Sequence, residues 1–600
     1  MFVVLGFAAC GDGATPATDT TPARSDTADD TVASSDIEVS DTVAETSAPD
    51  VDDTVDEQVE EVDVVVGGPS ELVWYDPDVL HEVVIDLDPD DWDALRHETR
   101  TLLQILGPDC LAAPPPDVFS WYHADVTVDG AHAQDVGLKK KGFLGSLDEN
   151  RPALRVETDH FVDHQHLGEL EHLTLNNGRQ DPSRVRQCLA YEVFRAAGVA
   201  ASRCSFVHVI VNGADLGLYV NVEPVRKAFV ADAYGLSADG QLWEGALSDF
   251  REGWTGTFES KLDDVPSDKG PLDAVTAALA RPDDEVIAAL DALVDLDELF
   301  TFWATEGLIG HWDGYAGNTN NFYVFRAPDG RLRFIPWGVD GTFVDPAARG
   351  DGQPTSVFAV GALARRLYQL PEGRARYQAE LRRLLSDVWD EQALIDRVAA
   401  WDTLTFGARE DDSGAAGSEG IADLKLFVAG RRAAILAELD GGDADWPGEL
   451  RAPICVRAIG TVSGTLSTSW GTLAVDDLFT TGTSSIVLDS ADLPPLTYDL
   501  HGAKAGEDTQ NQPGRAQLVT AAHVVGAGYV VVVITTALPL GPGARAINGT
   551  ITDAVVYYLD PGGNAQIIGY VEDGAVTLEQ AGTESGSPIV GSFEGTMFNF

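Results

Sequence analysis

The stretch from Glu306 to Phe343, EGLIGHWDGYAGNTNNFYVFRAPDGRLRFIPWGVDGTF, constrains this chain more tightly than any other. It begins inside the apolar helix pattern LDELFTFWATEGLIG and breaks into a polar loop, HWDGYAGN, rich in Gly and Asn. Two strand-like runs follow, NFYVF and LRFIPW, joined by a Pro-Asp-Gly turn. A carboxylate in the loop, Asp313, is thereby paired with a second, Asp340, that arrives just after the second strand and precedes Gly341. Helix, loop and hairpin in that order can bring two acids from separated points to one place.

The loop reads His311-x-Asp313-x-x-x-x-Asn318, the spacing of a protein-kinase catalytic loop, and Asp340-Gly341 falls where such a fold puts its metal-binding Asp-x-Gly. Phosphoryl transfer uses one carboxylate to take a hydroxyl proton and a second, with an Asn, to hold Mg²⁺ on the phosphates. The plainer reading is an Asp/Asn/Gly turn between a helix and a hairpin, since short motifs recur by chance.

At 600 residues the chain is long enough for two or three domains. Its formal net charge is −58, which argues against nucleic acid as a partner, because phosphates demand a basic face. A strongly acidic surface suits a saline or extracellular setting. There are eight lysines, and three of them are adjacent: Lys139, Lys140 and Lys141. No apolar run reaches the length of a membrane-spanning helix.

The N-terminus, MFVVLGFAACGDG, resembles the tail of a bacterial lipoprotein signal in which Cys10 is acylated. Phe7 replaces the usual aliphatic residue and no basic region precedes the apolar run; a start codon set too far downstream explains the shortness. Residues 11–67 hold seventeen acidic residues against the single Arg24. Such a segment cannot bury enough apolar surface to offset chain entropy, so a disordered acidic linker is expected, a stalk behind a lipid anchor.

Folding is expected to begin near Glu71. VLHEVVIDLD alternates as a strand, and DPDDWDALRHETRTLLQIL reads as a capped helix. WYHADVTVDGAHAQDVGLKKKGFLGSL reads as a hairpin turning at Asp129-Gly130, with Lys139 and Lys141 on one face and Lys140 on the other. RPALRVET adds Arg151 and Arg155. Cations clustered in so acidic a chain suit phosphate binding; an edge strand protected by lysines is the alternative. His160, His164, His166 and His172 near Asp163 lack metal-ligand spacing and read as a polar loop. LTLNNGRQDPSRVRQCLAYEVFRAAGV gives a strand and a helix ending at Gly198. SFVHVIVNG and LGLYVNVEPV form a hairpin at Asn212-Gly213, closed by Glu223 and Lys227.

VGLKKKGFLG, LNNGRQDPSRVRQCLAYEVFRAAGV, VIVNGADLGLYVNVEPVRKAF, HWDGYAGNTNNFYVF and RFIPWGVDGTF, in that order, resemble the spore-coat protein H (CotH) kinase-like family. The resemblance runs from about Val73 to Leu439. It implies an atypical protein-kinase-like fold that binds ATP with Mg²⁺ or Mn²⁺. By position it makes Asp313 the catalytic-loop acid, with Asp340 and Asn318 as metal ligands. Lys139, Lys141 and Arg151 become candidates for the phosphate anchor, and Glu223 joins them as a nucleotide-site residue. The family usually reads Pro-Trp-Asp-x-Asp, whereas this chain has Pro336-Trp337-Gly338-Val339-Asp340. That departure keeps a non-catalytic reading open.

After Phe343, VDPAARGDGQPTS stands where a kinase carries its activation segment, and two helical stretches follow, in which Arg431 and Arg432 read as surface charges. From Arg451 short alternating runs with frequent Gly and Thr predict an all-β, sandwich-like domain. In an exported chain Cys110, Cys188, Cys204 and Cys455 can form two disulfides, with Cys188–Cys204 the favoured pair.

The expectation is therefore an α+β chain. Residues 1–10 form a signal remnant, 11–67 a linker, 71–443 a bilobal kinase-like domain and 451–600 a β-sandwich-like accessory domain. The expected activity is that of an exported, surface-exposed or periplasmic lipoprotein kinase phosphorylating a surface or coat protein. A non-catalytic scaffold is the main alternative, and a carbohydrate-cleaving carboxylate pair a third.

Overall fold

The computed structural model describes residues 64–600, apart from 144, 236–239, 263–267, 346–352, 413, 443, 453, 476, 494, 509–513, 550 and 563. Cys10, nearly all of the acidic linker and most of the segment after Phe343 lie outside the described residues. Strand β1 (Val64–Val66) pairs in parallel with β6 (Gln165–Leu167), so regular structure starts slightly ahead of the boundary drawn at residue 67. A run of three valines favours a strand once a partner is present, whatever the charge of the residues before it.

Seven strands close into a barrel: β2 (Leu80–Asp86), β3 (Trp121–Val128), β4 (Ala131–Lys141), β5 (Ala153–Glu157), β7 (His172–Asn176), β8 (Cys204–Val211) and β9 (Ala214–Val222). All neighbours are antiparallel except β2 and β8, whose parallel pairing shuts the barrel. The β3–β4 turn falls at Asp129-Gly130 and the β8–β9 turn at Asn212-Gly213, as the sequence implies. Closure itself is invisible in period-2 alternation, which shows that a strand has an inner face but not which strand lies beside it. Val83, Ile85, Val126, Val136, Leu138, Leu154, Val156, Leu173 and Leu175 fill the interior.

A second sheet runs in the order β11 (Glu259–Ser260), β10 (Gln241–Gly245), β12 (Phe322–Arg326) and β13 (Leu332–Pro336). It leans on the helix Leu296–Ile309, which is apolar almost all round and almost wholly buried. Phe300, Phe302, Trp303, Leu308 and Ile309 all belong to the main core. At about 1.5–3 kcal/mol for each such side chain, this helix is among the strongest anchors of the domain. Asp295 caps its start by accepting from the Glu298 amide, and Gly310 ends it in the left-handed conformation (φ 64°). A Cβ at Gly310 would lie 2.5 Å from the Val344 carbonyl, so the residue before His311 must be glycine for the loop to turn here.

Arg431 corrects its reading as a surface charge. Only 3 % exposed, it donates to the carbonyls of Leu308 (2.8 Å), Gly307 and Thr355 (2.8 Å) and to Thr355 Oγ1 (2.9 Å). Those first two carbonyls are the loose C-terminal end of Leu296–Ile309, where a fixed cation is favourable. Arg432 is also held, donating to Glu391 and to the Leu385 and Trp389 carbonyls. The helical pattern of the segment was right, but a single period cannot distinguish a solvated face from one laid over a neighbouring helix end.

The C-terminal part is all β: β14 (Arg457–Ser469), β15 (Thr483–Ser490), β16 (Tyr498–Glu507), β17 (Arg515–Val524), β18 (Tyr529–Ala537), β19 (Gly543–Ile547), β20 (Thr552–Leu559), β21 (Ala565–Gln580) and β22 (Pro588–Asn599). These form one continuous sheet in the order β15-β14-β22-β21-β20-β18-β17-β16, with β19 on β21, rather than two separate sheets. Its strand pairs are antiparallel, among them the long pairings of β22 with β14 and with β21, and a bridge between Trp470 and Ala505 links distant parts of the sheet.

Both disulfides are made. Cys188–Cys204 is the pair favoured by the sequence, and Cys110–Cys455 (Cα–Cα 5.4 Å) ties the C-terminal part to the segment after β2. Beside the second bond, Val456 donates to the Leu106 carbonyl (2.6 Å), and Ile105, Leu106, Ile454, Val456 and Phe598 share a small apolar cluster.

Candidate active site

A cleft of about 690 Å³ lies between the β4–β5–β7 wall of the barrel and the loops that flank the β12–β13 hairpin. Asp313, Asp340, Lys139 and Lys141 all line it. That convergence was legible: the two acids bracket the hairpin, and alternation along β4 turns Lys139 and Lys141 to one side. Lys140 points the other way, where its ammonium meets the carbonyls of Arg96 and Glu98 (2.5 Å each). Those carbonyls sit at the end of the helix Pro89–His97, so Lys140 is a helix cap.

Asp313 is held by three amides. Asn318 Nδ2 reaches Oδ1 at 2.6 Å, Asn320 Nδ2 reaches Oδ1 at 3.4 Å, and Asn321 Nδ2 reaches Oδ2 at 2.8 Å. Burial pushes the Asp313 carboxyl up from the usual carboxylate range, against the pull of these donors. Behind it Glu306, fully buried, accepts from the amides of Tyr315 and Ala316 (2.9 Å each) at the start of the short helix Tyr315–Asn318. His311 lies against the same carboxylate (3.4 Å). A buried acid thus bends the chain so that Asp313 faces the cleft.

Asp340 enters from the far end of β13. Its carboxyl is pushed up to about 6, first by burial and then by the negative charges of Asp313 and Asp181. Two acids that resist ionising together form a site that favours a cation. Lys141 faces them: its ammonium donates to Asn176 Oδ1 (2.5 Å) and lies 5.9 Å from the Trp337 ring centre. Burial lowers Lys141 to about 8, opposed by the charges of Glu244 and Asp340 and assisted by Arg155. Lys139 is already occupied, paired with Asp117 and set over the Trp121 ring (5.1 Å).

Three expected site residues are placed elsewhere. Arg151 does not line the cleft; its guanidinium donates to the Leu218 carbonyl (2.7 Å) and lies over Tyr219 (5.4 Å), clamping the barrel. It lies ahead of β5, so the face that alternation assigns to Arg155 does not extend to it. Glu223 accepts from the Arg203 amide (2.9 Å) and guanidinium (2.5 Å) at the end of the hairpin, away from the cleft. The residues just after it, Pro224 to Lys227, supply the lining instead. Asn318 also stands behind the cleft lining, as a support for Asp313.

Other residues join the site from distant segments. Glu244 on β10 and Glu259 on β11 hold Lys261 at 2.7 and 2.9 Å, and all three line the cleft. Asn321 lines it too, and its own sequence neighbourhood, Asn318-Thr319-Asn320-Asn321, was the available signal. Both groups near Asn321 Nδ2 are acceptors, Asp313 O (3.1 Å) and Oδ2, so the amide oxygen points away from Asp313. That oxygen occupies the space beside Gly338. Gly338 has φ 51°, and a Cβ there would fall 2.5 Å from Asn321 Oδ1. Gly338→Ala is therefore expected to cost about 1–3 kcal/mol in a denaturant melt, by strained backbone and by displacing Asn321.

Among the described residues no cluster of three or more His, Cys, Asp or Glu side chains has metal-binding geometry. Two carboxylates lining one cleft still fit Mg²⁺, which keeps waters and takes one or two protein carboxylates together with substrate phosphates.

An α+β domain with two acids facing a lysine across one cleft has the makings of a phosphoryl-transfer site. Residues 138–424 match the model of the CotH kinase protein family, and the chain carries a CotH kinase-like domain. It is 23 % identical over 262 residues to Invasin CotH2 of Rhizopus delemar, covering 39 % of this chain and 44 % of that protein. It is 23 % identical over 232 residues to the inner spore coat protein H of Bacillus subtilis, covering 36 % and 58 %. The match thus spans less than two thirds of each relative. A crystal structure of a Helicobacter pylori proinflammatory kinase, CtkA, aligns over 45 % of this chain and 91 % of its own at 11 % identity, with a TM-score of 0.20.

Proposed function

We propose that the chain is an exported CotH-like kinase that transfers a phosphate from ATP-Mg²⁺ to a hydroxyl of a surface or coat protein, with Cys10 as its lipid anchor. The observation that carries this reading is the meeting of Asp313, Asp340 and Lys141 in one cleft. Asp340 holds the divalent ion, Lys141 neutralises phosphate oxygens, and Asp313 takes the acceptor's proton as its oxygen bonds to phosphorus and the bond to the leaving ADP breaks. A divalent ion held by Asp340 would offset the charge that develops on the phosphates. The spore-coat and invasin names of the relatives support an exposed location. Among the described residues no helix is long and apolar enough to cross a membrane.

A second reading, a non-catalytic surface scaffold, is favoured by Gly338. The family's first carboxylate is missing there, and the Asn321 amide takes up the room.

Titrating the chain with ATP-Mg²⁺ in a calorimeter across pH tests the first reading. Asp340 must lose its proton to hold the ion, so affinity should rise as pH climbs through about 6. Lys141 must keep its proton to hold phosphate, so affinity should fall as pH passes about 8. Absence of binding at every pH, or binding untouched by Lys141→Ala, would contradict the kinase reading.

A further inference from the structure

The family match ends at residue 424, yet a side chain well beyond it reaches the catalytic loop. Arg451 Nη1 donates to the backbone carbonyl of Asn318 and to its side-chain Oδ1, both at 2.7 Å. A guanidinium has only donors, so the oxygen of the Asn318 amide must face Arg451 and its NH₂ must face the other way. The NH₂ then meets Asp313 Oδ1 at 2.6 Å.

We infer that Arg451 is a positioning residue for the site: acting through Asn318, it fixes the catalytic-loop acid from a strap that joins the kinase-like domain to the β domain. The inference rests on the kinase reading for its effect on rate, though not for its effect on the loop. It also gives Asn318 a different task from metal binding, since its oxygen is already taken.

The strap is pinned along its length. Tyr368 donates to the Ala444 carbonyl (2.8 Å), and Arg365 donates to that of Gly448. Arg251, stacked on Trp254, donates to the Arg451 carbonyl itself (2.5 Å). Four residues later Cys455 is bonded to Cys110, and Val456 to Leu106. A chain fastened on both sides of Arg451 has little freedom to withdraw its side chain, which lowers the entropy lost in holding Asn318. The geometry of a reacting acid is sensitive at this scale, because a misplacement of about 1 Å can cost about 100-fold in rate.

The full chain carrying Arg451→Met, Arg451→Lys, or Arg451→Met with Asn318→Ala provides the test. With Arg451→Met, kcat should fall by about 10- to 100-fold while KM for ATP stays within about twofold, since Lys141 and Asp340 are untouched. Arg451→Lys keeps a donor and should restore part of the rate. In an Asn318→Ala background Arg451→Met should add no further loss, because the two act in series. Hydrogen exchange read by mass spectrometry over residues 311–321 should quicken in Arg451→Met and slow again in Arg451→Lys, whether or not the chain transfers phosphate. If exchange there is the same in all variants, the positioning role is overturned. If wild type transfers no phosphate but the exchange changes appear, the kinase reading falls and the strap contact stands. If Arg451→Met does not fold, Arg451→Gln, shorter and without the charge, decides: exchange and kcat both at wild-type values in it would sink the inference.

Discussion

Asp313→Asn is expected to lower phosphate transfer by about 10²- to 10⁴-fold while leaving ATP-Mg²⁺ affinity within a few-fold of wild type. The range is that of removing a positioned general base. The split follows from the site: Asp313 sits on the catalytic loop among three asparagine amides, whereas Lys141 and Asp340 belong to β4 and to the turn after β13. The substitution keeps the size of the side chain but replaces one accepting oxygen by a donor, so a wild-type melting temperature must be confirmed alongside. Labelled-phosphate incorporation into an added acceptor protein reads the rate and calorimetry reads the affinity. Transfer undiminished in the variant would remove Asp313 from the reaction.

The largest stability effect is expected at Arg431. Arg431→Met should destabilise the kinase-like domain by about 3 kcal/mol or more in a denaturant melt. The guanidinium satisfies three carbonyls and a hydroxyl from two segments, and hydrogen bonds from a charged group contribute about 1.5–3 kcal/mol each before the cost of burying the cation. That cost is visible in the same residue, since burial lowers its affinity for a proton, to a pKa of about 10. Methionine fills much of the volume but takes the charged donor from the Leu308 carbonyl and leaves that of Gly307 with only the Gly310 amide (3.3 Å). Those carbonyls lie four and three residues ahead of His311, so the loss should also loosen the loop that carries Asp313. A change of less than about 1 kcal/mol would show that water satisfies the helix end equally well.

The parts of the molecule that were legible in the sequence are those written in local chemistry. Apolar alternation set most strands, Asp129-Gly130 and Asn212-Gly213 set their turns, and Gly198 and Gly310 ended their helices. In the β domain β16 and β19 carry little of that alternation. Tyr498–Glu507 opens with a polar, half-exposed stretch, and Gly543–Ile547 is short and exposed along most of its length. AQIIGYV and AVTLEQ, two alternating runs parted by Glu572–Gly574, belong to one long strand, β21, carried across the break by a register shift.

Site residues divided along the same line. That Asp313, Asp340, Lys139 and Lys141 line one cleft was legible because spacing and alternation bear on side-chain direction. Arg151 and Glu223 were charged residues near the right elements that turned out to serve the barrel wall. Glu244, Lys261 and Arg451 reach the site or its support only through tertiary packing, and no local pattern announces them. The second disulfide belongs with these, since Cys110 and Cys455 are 345 residues apart in the chain.

In the proposed site Asp340 and Lys141 grip opposite sides of one nucleotide's phosphates. A crystal structure of the full chain with Mg²⁺ and a non-hydrolysable ATP analogue measures this directly. The expected result is a metal ion bound to Asp340 and phosphate oxygens within hydrogen-bond reach of the Lys141 ammonium, with Asp313 open to an incoming hydroxyl. A nucleotide seated elsewhere, or a cleft that stays empty at saturating analogue with Asp340 touching no ion, would contradict it.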